Sequence, residues 1–145
     1  MKTIMIATDG SEAAGDALAV AIDIAKQTGA KLQVLSVKPP MPAGRGGAGP
    51  AILEVEEREG AEHISETAAT QARAAGVDAT AHAAHGDVVD TIAEAATKFD
   101  VDLLVVGSRG HGPLTGAILG SVSHALVGRS PVPVTIVRHA AVPVA

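Results

Sequence analysis

The stretch Leu103-Leu104-Val105-Val106-Gly107-Ser108 holds the most apolar run of strand length in this chain of 145 residues. A segment with apolar residues at helical spacing precedes it and ends near Phe99, and Asp87 is placed to cap its first turn. A strand without polar alternation is typical of a parallel sheet covered on both faces. We therefore expect this strand to be the most central one of a parallel sheet.

Outward from this run, strand-like and helix-like segments keep alternating, which is the pattern of βαβ units. Helices are expected from Ser11 to Gly29, from about 52 to 75 with a possible break at Gly60, from Asp87, and from near Ser121. The five predicted strands cover residues 4–8, 32–37, 77–83, 103–106 and 132–137. We predict an open, doubly wound α/β fold of the Rossmann-like type, with a parallel sheet in the order 3-2-1-4-5 and about four helices.

Composition limits the classes of function. The chain has no Cys, which excludes disulfides, a thiolate nucleophile and a zinc site built on sulfur. Its net charge of -5, with 11 Lys and Arg, argues against a nucleic-acid partner. A single aromatic residue, Phe99, leaves little scope for stacking on a ligand ring. Neither a signal peptide nor a membrane span is expected, so we predict a cytoplasmic protein. The length of 145 residues is near that of one domain, so we predict a single domain over residues 1–145.

The last predicted strand has the features of a sheet edge. Pro131 and Pro133 lack the N–H groups that an inner strand would use. Three apolar side chains of this strand share one face: Val132, Val134 and Ile136. We expect a homodimer in which this strand pairs with its copy, and the alternative is that the tail at 139–145 covers the edge. The polar strand at 77–83 is expected at the opposite edge.

A glycine-rich segment follows the apolar run, with the sequence Gly107-Ser108-Arg109-Gly110-His111-Gly112-Pro113-Leu114-Thr115-Gly116-Ala117-Ile118-Leu119-Gly120-Ser121-Val122-Ser123. Glycine allows a ligand to approach the backbone, and Gly120-Ser121 opens a helix whose first N–H groups attract an anion. The hydroxyl groups of Ser121 and Ser123 add donors. The pattern predicts a phosphate cradle without lysine, and the alternative is a surface loop followed by an ordinary serine cap.

A second group of residues is expected at the same place. In an open parallel sheet, ligands bind at the carboxyl ends of the strands where the strand order reverses. With the order 3-2-1-4-5, that point lies between the strand that ends at Asp9-Gly10-Ser11 and the strand that ends at Gly107. Asp9 could accept from ribose hydroxyls or help to hold Mg²⁺, and the alternative is a turn residue at the start of the first helix.

These motifs resemble the universal stress proteins over essentially the whole chain. The resemblance rests on Asp9-Gly10-Ser11, on the spacing Gly107-x2-Gly110-x9-Gly120-Ser121, and on Ser130-Pro131-Val132-Pro133-Val134. In that family, the glycine spacing marks the ATP-binding branch. The resemblance implies a fold like that of the adenine nucleotide alpha hydrolases and a dimer formed through the last strand. The core motif fits the family pattern, and the loop at about 38–50 is unusually rich in Gly and Pro.

The resemblance also implies roles for single residues. It implies that the backbone of Val37 reads adenine and that Asp9 and Gly107 contact the ribose. It also implies that four residues hold phosphates: Gly110, Gly120, Ser121 and Ser123. Mg²⁺ is expected to accompany ATP, near Asp9. The complete predicted nucleotide site consists of Thr8, Asp9, Ser11, Val37, Gly107, Ser108, Arg109, Gly110, His111, Gly120, Ser121, Val122 and Ser123.

Other motifs are rejected. The sequence at 44–49 matches GxGxxG but does not directly follow a strand, and no P-loop or nucleophile elbow is present. The set His82, His85 and Asp87 is too small for a predicted metal site. We expect an ATP-dependent stress sensor or regulator with slow or no hydrolysis. The alternatives are a slow ATPase or autophosphorylating enzyme that uses Ser121 or Ser123, and a dimeric module that binds AMP or cyclic AMP.

Overall fold

Strands and helices alternate along the computed structural model of the chain, which describes residues 1–40, 50–108 and 120–139 and, over 50–59, the backbone alone. In chain order the elements are β1 (Thr3–Ala7), α1 (Glu12–Thr28), β2 (Lys31–Lys38), α2 (Pro50–Ala74), β3 (Ala79–His85), α3 (Val88–Lys98), β4 (Leu103–Gly107), α4 (Ser121–Arg129) and β5 (Val134–Val137). Most of the loop predicted at 38–50, namely residues 41–49, lies outside the described ranges.

The sheet has the predicted topology, because all of its strand pairs are parallel and its order is β3-β2-β1-β4-β5. The prediction that β4 is the most central strand is wrong, since β1 occupies the middle between β2 and β4. The inner residues of both strands are buried, Ile4 to Ile6 in β1 and Leu104 to Val106 in β4. An apolar run therefore shows that both faces of a strand are covered, and it does not give the strand's rank in the sheet.

The helix boundaries follow from local caps. The Ser11 hydroxyl accepts from the Ala14 N–H at 3.2 Å, and α1 ends at Gly29 with a positive φ of 74°. Asp87 caps α3 by accepting from the Asp90 N–H at 2.9 Å. The predicted break at Gly60 is wrong, because α2 continues through it. A single glycine lowers helix propensity by only about 1 kcal/mol, which tertiary packing can offset.

The core has two layers, one on each face of the sheet. Helices α1 and α2 cover the face that carries Ile4, Ile6 and Val34, whereas α3 and α4 contribute Ile92 and Leu126 to the other face. No helix within the described ranges is long and apolar enough to cross a membrane.

Strands β3 and β5 form the two edges, as predicted. The apolar residues Val132, Val134 and Ile136 of the C-terminal segment pack on the α3 and α4 side and are half-buried within one chain. Part of the apolar area that prompted the dimer prediction is therefore covered already. Pairing of β5 with a second copy stays a prediction, and of the tail at 139–145 only His139 lies within the described residues.

Candidate functional site

The carboxyl ends of β1 and β4 lie side by side at the point where the strand order reverses. Ala7 of β1 is in register with Val106 of β4. The chain leaves β1 into α1, which leads to β2, and leaves β4 toward α4, which leads to β5 on the other side. A crevice is expected between two such connections. The predicted residues after both strands therefore belong to one edge of the sheet, which we call the carboxyl edge.

The turn after β1 is fixed by its own side chains. The Thr8 hydroxyl accepts from the Gly10 N–H at 3.2 Å, and one carboxylate oxygen of Asp9 accepts from the Ser11 N–H at 2.9 Å. Gly10 has a φ of 80°, a conformation that glycine adopts without strain. The turn role considered for Asp9 is thus present, and its role toward a nucleotide stays a prediction.

Gly107 is the place where α1 meets the end of β4. A Cβ atom on Gly107 would lie 2.9 Å from the carbonyl oxygen of Ala13 and 3.3 Å from the nitrogen of Ala14. Only a residue without a side chain lets the first turn of α1 pack this closely on the strand. The sequence showed a glycine that a ligand could approach, but nothing in it showed that a helix backbone approaches the same glycine.

Ser108 joins three parts of the chain through its backbone and side chain. Its N–H donates to the Val137 carbonyl of β5 at 2.8 Å, and its carbonyl accepts from the Gly120 N–H at 2.6 Å. The Ser123 hydroxyl donates to the Ser108 carbonyl at 3.4 Å and to the Gly120 carbonyl at 3.0 Å. The two ends of the glycine-rich segment are therefore held next to each other. Ser123 is buried, and its hydroxyl is already bonded to this backbone.

Helix α4 begins beside Ser108 without a side-chain cap. Its N-cap is Gly120, which has an extended backbone with φ -60° and ψ 154° and no side chain. His124 donates its N–H to the Gly120 carbonyl at 2.9 Å, so the amides of the preceding three residues are those of the helix N-terminus. Ser121 is exposed, and Val122 packs toward the core. The predicted residues Arg109, Gly110 and His111 lie outside the described residues.

Strand β2 extends beyond β1 at this edge. The Thr8 N–H donates to the Leu35 carbonyl at 2.9 Å, which is the last bond of this ladder toward β2. Backbone groups alternate sides along a strand, so the N–H and carbonyl of Val37 point to the same side as those of Leu35. The backbone of Val37 therefore faces the region above the end of β1.

His139 and Asp16 form a contact at this edge that the sequence analysis missed. Nδ1 of His139 lies 2.6 Å from Oδ2 of Asp16 in α1, and the His139 N–H donates to the Ser108 hydroxyl at 3.4 Å. Asp16 and His139 are 123 positions apart, and neither belongs to a recognisable motif. Among the described residues, no group of three or more His, Cys, Asp or Glu side chains could hold a metal ion.

Comparison of the sequence with known proteins shows which family it matches. Residues 1–138 match the family model described as the universal stress protein family. The chain is 36% identical over 139 residues to a Thermus aquaticus protein described as a universal stress protein in the QAH/OAS sulfhydrylase 3′ region, with 94% of this chain and 98% of that protein covered. It is 33% identical over 145 residues to the universal stress protein YxiE of Bacillus subtilis, covering 93% and 97% of the two chains.

Solved structures agree on the fold. The universal stress protein UspA of Lactobacillus plantarum superposes with a TM-score of 0.82 at 23% identity, covering 94% of this chain and 97% of that one. A second universal stress protein, solved in complex with cAMP, has a TM-score of 0.74 at 31% identity and covers 96% and 98% of the two chains.

Proposed function

This chain belongs to the universal stress protein family, and from that premise we propose that it binds ATP at the carboxyl edge of its sheet. The observation that carries the proposal is the start of α4, where a glycine cap is bonded to Ser108 at 2.6 Å. A helix N-terminus presents backbone N–H groups and the positive end of a dipole, which together favour phosphate. The topological switch point at this edge supports the same location.

The phosphates would be held by the first turn of α4. Backbone amides are the principal donors, and the exposed hydroxyl of Ser121 can turn toward a phosphate oxygen. The hydroxyl of Ser123 bonds to Gly120 and Ser108, so we assign it a supporting role in holding the loop ends together. Arg109, Gly110 and His111 remain proposed ligands on the strength of their sequence positions.

The nucleoside would lie toward β1 and β2. We propose that the backbone of Val37 pairs with adenine, because its N–H and carbonyl face the region above the end of β1. Asp9 would accept from a ribose hydroxyl while it keeps its bond to the Ser11 N–H. Mg²⁺ would be held mainly by the phosphate oxygens, with the Asp9 carboxylate as the proposed protein contribution. These ligands together would bind ATP without a P-loop lysine.

We propose a regulatory rather than an efficient catalytic role. Phosphoryl transfer requires a positioned nucleophile and cations that neutralise the developing charge. The described residues of the proposed cradle offer backbone amides and hydroxyls, which supply binding in the ground state. Hydrolysis would be slow, and the nucleotide would control a response to stress through a homodimer that pairs β5 with its copy.

Calorimetric titration of nucleotide-free protein with ATP and Mg²⁺ tests the site. We expect one site per chain, with about -7 to -8 kcal/mol if the affinity is micromolar. In Ser121→Asp, a carboxylate at the first turn of α4 favours the helix but repels phosphate, so binding should be lost while the fold persists. Thr70→Asp introduces the same charge at an exposed position of α2 and should bind as the wild type does. Equal binding by both variants would reject the cradle.

A ligand with one phosphate is the second candidate. The universal stress protein at 31% identity was solved in complex with cAMP, which favours a cradle for a single phosphate. Titrations with ATP, AMP and cAMP under the same conditions separate the two proposals. If the β- and γ-phosphates contact α4, ATP binds most tightly. If AMP or cAMP binds more tightly than ATP, the site holds one phosphate only.

An enzyme remains the third candidate, and it is tested by turnover. Release of ADP would be followed for the wild type and for Asp9→Ala at saturating ATP. Ser121 would be the accessible nucleophile for autophosphorylation, since Ser123 is buried. Turnover of several ATP per minute that is lost in Asp9→Ala would replace the regulatory proposal with an enzymatic one.

A further inference from the structure

The end of β5 is joined to α1 by the side chain of His139. Nδ1 of His139 lies 2.6 Å from Oδ2 of Asp16, within the distance of a strong charge-assisted hydrogen bond. Because a carboxylate can only accept, the hydrogen of this bond is on Nδ1. Nε2 lies 3.7 Å from the Glu12 carboxylate, but Glu12 is 92% exposed, so water screens that contact. Of these two contacts of the His139 ring, the one with Asp16 is therefore the stronger, and it adds to the packing of Val137 on the α1 side of the core.

His139 also contacts Ser108, whose backbone is bonded to the start of the proposed cradle. The N–H of His139 donates to the Ser108 hydroxyl at 3.4 Å, and the Ser108 carbonyl accepts from Gly120 at 2.6 Å. These hydrogen bonds form an unbroken series of contacts from Asp16 through His139 and Ser108 to Gly120. It begins on α1, which follows the Asp9 turn, and ends at the cap of α4.

A second contact joins α1 to the neighbouring strand β4. The backbone of Ala13 packs on Gly107 so closely that no side chain fits between them. The first turns of α1 are held by the end of β4 through Gly107 and by the end of β5 through His139. Both sides of the nucleotide crevice, the Asp9 turn and the α4 cap, therefore depend on where α1 sits relative to β4 and β5.

We propose that His139 is a positioning residue for nucleotide binding, which acts through Asp16 and Ser108 to set the distance between the Asp9 turn and the start of α4. The inference rests on the proposed function for its ligand. His139 lies one residue beyond the segment that matches the family model, which ends at residue 138. A positioning residue of this kind changes affinity because it orients the groups that bind before the ligand arrives.

Three variants test the proposal by titration with ATP and Mg²⁺. His139→Ala removes the contact and should raise the Kd about tenfold, a typical coupling between a ligand and a remote contact. His139→Asn keeps a donor near the place of Nδ1 and should stay within about threefold of the wild type. Asp102→Ala is the matched control, because it removes side-chain bonds of 2.7 and 3.0 Å to the Lys2 and Thr3 amides at the far edge of the sheet.

The control separates positioning from stability. Asp102→Ala should lower the free energy of unfolding and leave the Kd for ATP unchanged. If His139→Ala binds ATP as tightly as Asp102→Ala does, or if His139→Asn is as weak as His139→Ala, the positioning role is overturned.

Amide hydrogen exchange on the nucleotide-free protein tests the contact without any ligand. The amides of Ser108 and Gly120 should exchange about tenfold faster in His139→Ala than in Asp102→Ala, since local opening would no longer be resisted by His139. Unchanged exchange at both amides would refute the role of His139. If the wild type binds no adenine nucleotide but the exchange result holds, the proposed function fails while the mechanical role of His139 stands.

Discussion

The two ends of the strands differ: we compare the carboxyl edge with the amino edge, which is the side of the sheet where the strands begin. At the amino edge, α1 ends at Gly29 and the segment after α2 turns at Gly76, both with positive φ. The Asp102 carboxylate accepts from the amides of Lys2 and Thr3 and so joins the starts of β4 and β1 there. At the carboxyl edge, α1 and α4 begin, and Ser108 bonds to Val137 and to Gly120.

This difference separates stability from ligand affinity. Helices end at the amino edge, where backbone N–H groups just after α1 and α2 donate to carbonyls of their last turns. Helices α1 and α4 begin at the carboxyl edge, where α1 is capped by the Ser11 hydroxyl and α4 begins at a glycine. Substitutions at the amino edge should change stability alone. Substitutions at the carboxyl edge should change stability, affinity or both, according to the contact removed.

The largest effect is expected for Gly107→Ala. The new Cβ would lie 2.9 Å from the Ala13 carbonyl oxygen, so α1 must move away from β4. We expect a loss of about 2 to 3 kcal/mol in the free energy of unfolding by urea, together with weaker ATP binding. Gly15→Ala is the control, since its Cβ would meet nothing within 4 Å and alanine favours a helix. A neutral Gly107→Ala would show that the close approach is not important.

The next effect compares the two helix starts. Ser11→Ala removes the hydroxyl that accepts from the Ala14 N–H and should cost about 1 kcal/mol of stability. Ser121→Ala leaves the glycine cap of α4 intact and should change stability by less than about 0.5 kcal/mol, while it weakens ATP binding. Thermal unfolding and calorimetry on both variants check the pair. A larger loss of stability in Ser121→Ala than in Ser11→Ala would contradict the distinction.

At the amino edge, Asp100→Gly should stabilise the protein. Asp100 has a φ of 52°, in the left-handed region that glycine adopts more easily. We expect a gain of about 0.5 to 1 kcal/mol in urea unfolding and an unchanged Kd for ATP. Gly29→Ala, at a φ of 74°, should lose a similar amount. A change in ATP affinity in either variant would break the separation between the two edges.

The smallest effect concerns pH. Nε2 of His82 lies 2.6 Å from the Gln33 side-chain oxygen, and its ring stacks on Phe99 at 4.3 Å. Burial, and then the positive charge of Lys98, lowers the pKa of His82. The unfolded chain therefore binds a proton at a higher pH than the folded one, and stability falls as the pH drops below the ordinary histidine range.

The contribution of His82 is obtained by difference. Urea unfolding between neutral and mildly acidic pH should show a shallower decline for His82→Gln than for the wild type. His63→Gln, at an exposed position of α2, should decline as the wild type does. An identical decline in His82→Gln and the wild type would refute the role of this histidine.

The sequence predicted those parts of the fold that depend on local signals. Ser11, Gly29 and Asp87 mark helix ends because caps act within one turn, and the alternation of strands and helices indicates a parallel sheet. The rank of β4 in the sheet was mistaken, because apolarity reports burial and not neighbours. The break at Gly60 was mistaken because packing of α2 overrides one weak helix former.

The candidate site was predictable only where a motif marks it. The Asp9 turn and Gly120 are recognisable from residue type and spacing, and the topology brings them to the same edge. The packing of Ala13 on Gly107 and the contact between Asp16 and His139 depend on tertiary structure. No spacing rule relates residues that meet only after β4 and β5 have paired.

The single aromatic residue, Phe99, lies beneath His82, and the chain contains no Trp or Tyr. The protein therefore absorbs very little near-ultraviolet light, including at the wavelengths where adenine absorbs strongly. A nucleotide carried through purification would dominate that spectrum and would disappear when the protein is unfolded and filtered. The absorbance of the purified protein thus measures the fraction of chains that carry a nucleotide, without any label. Protein concentration is then measured from the absorbance of the peptide bond.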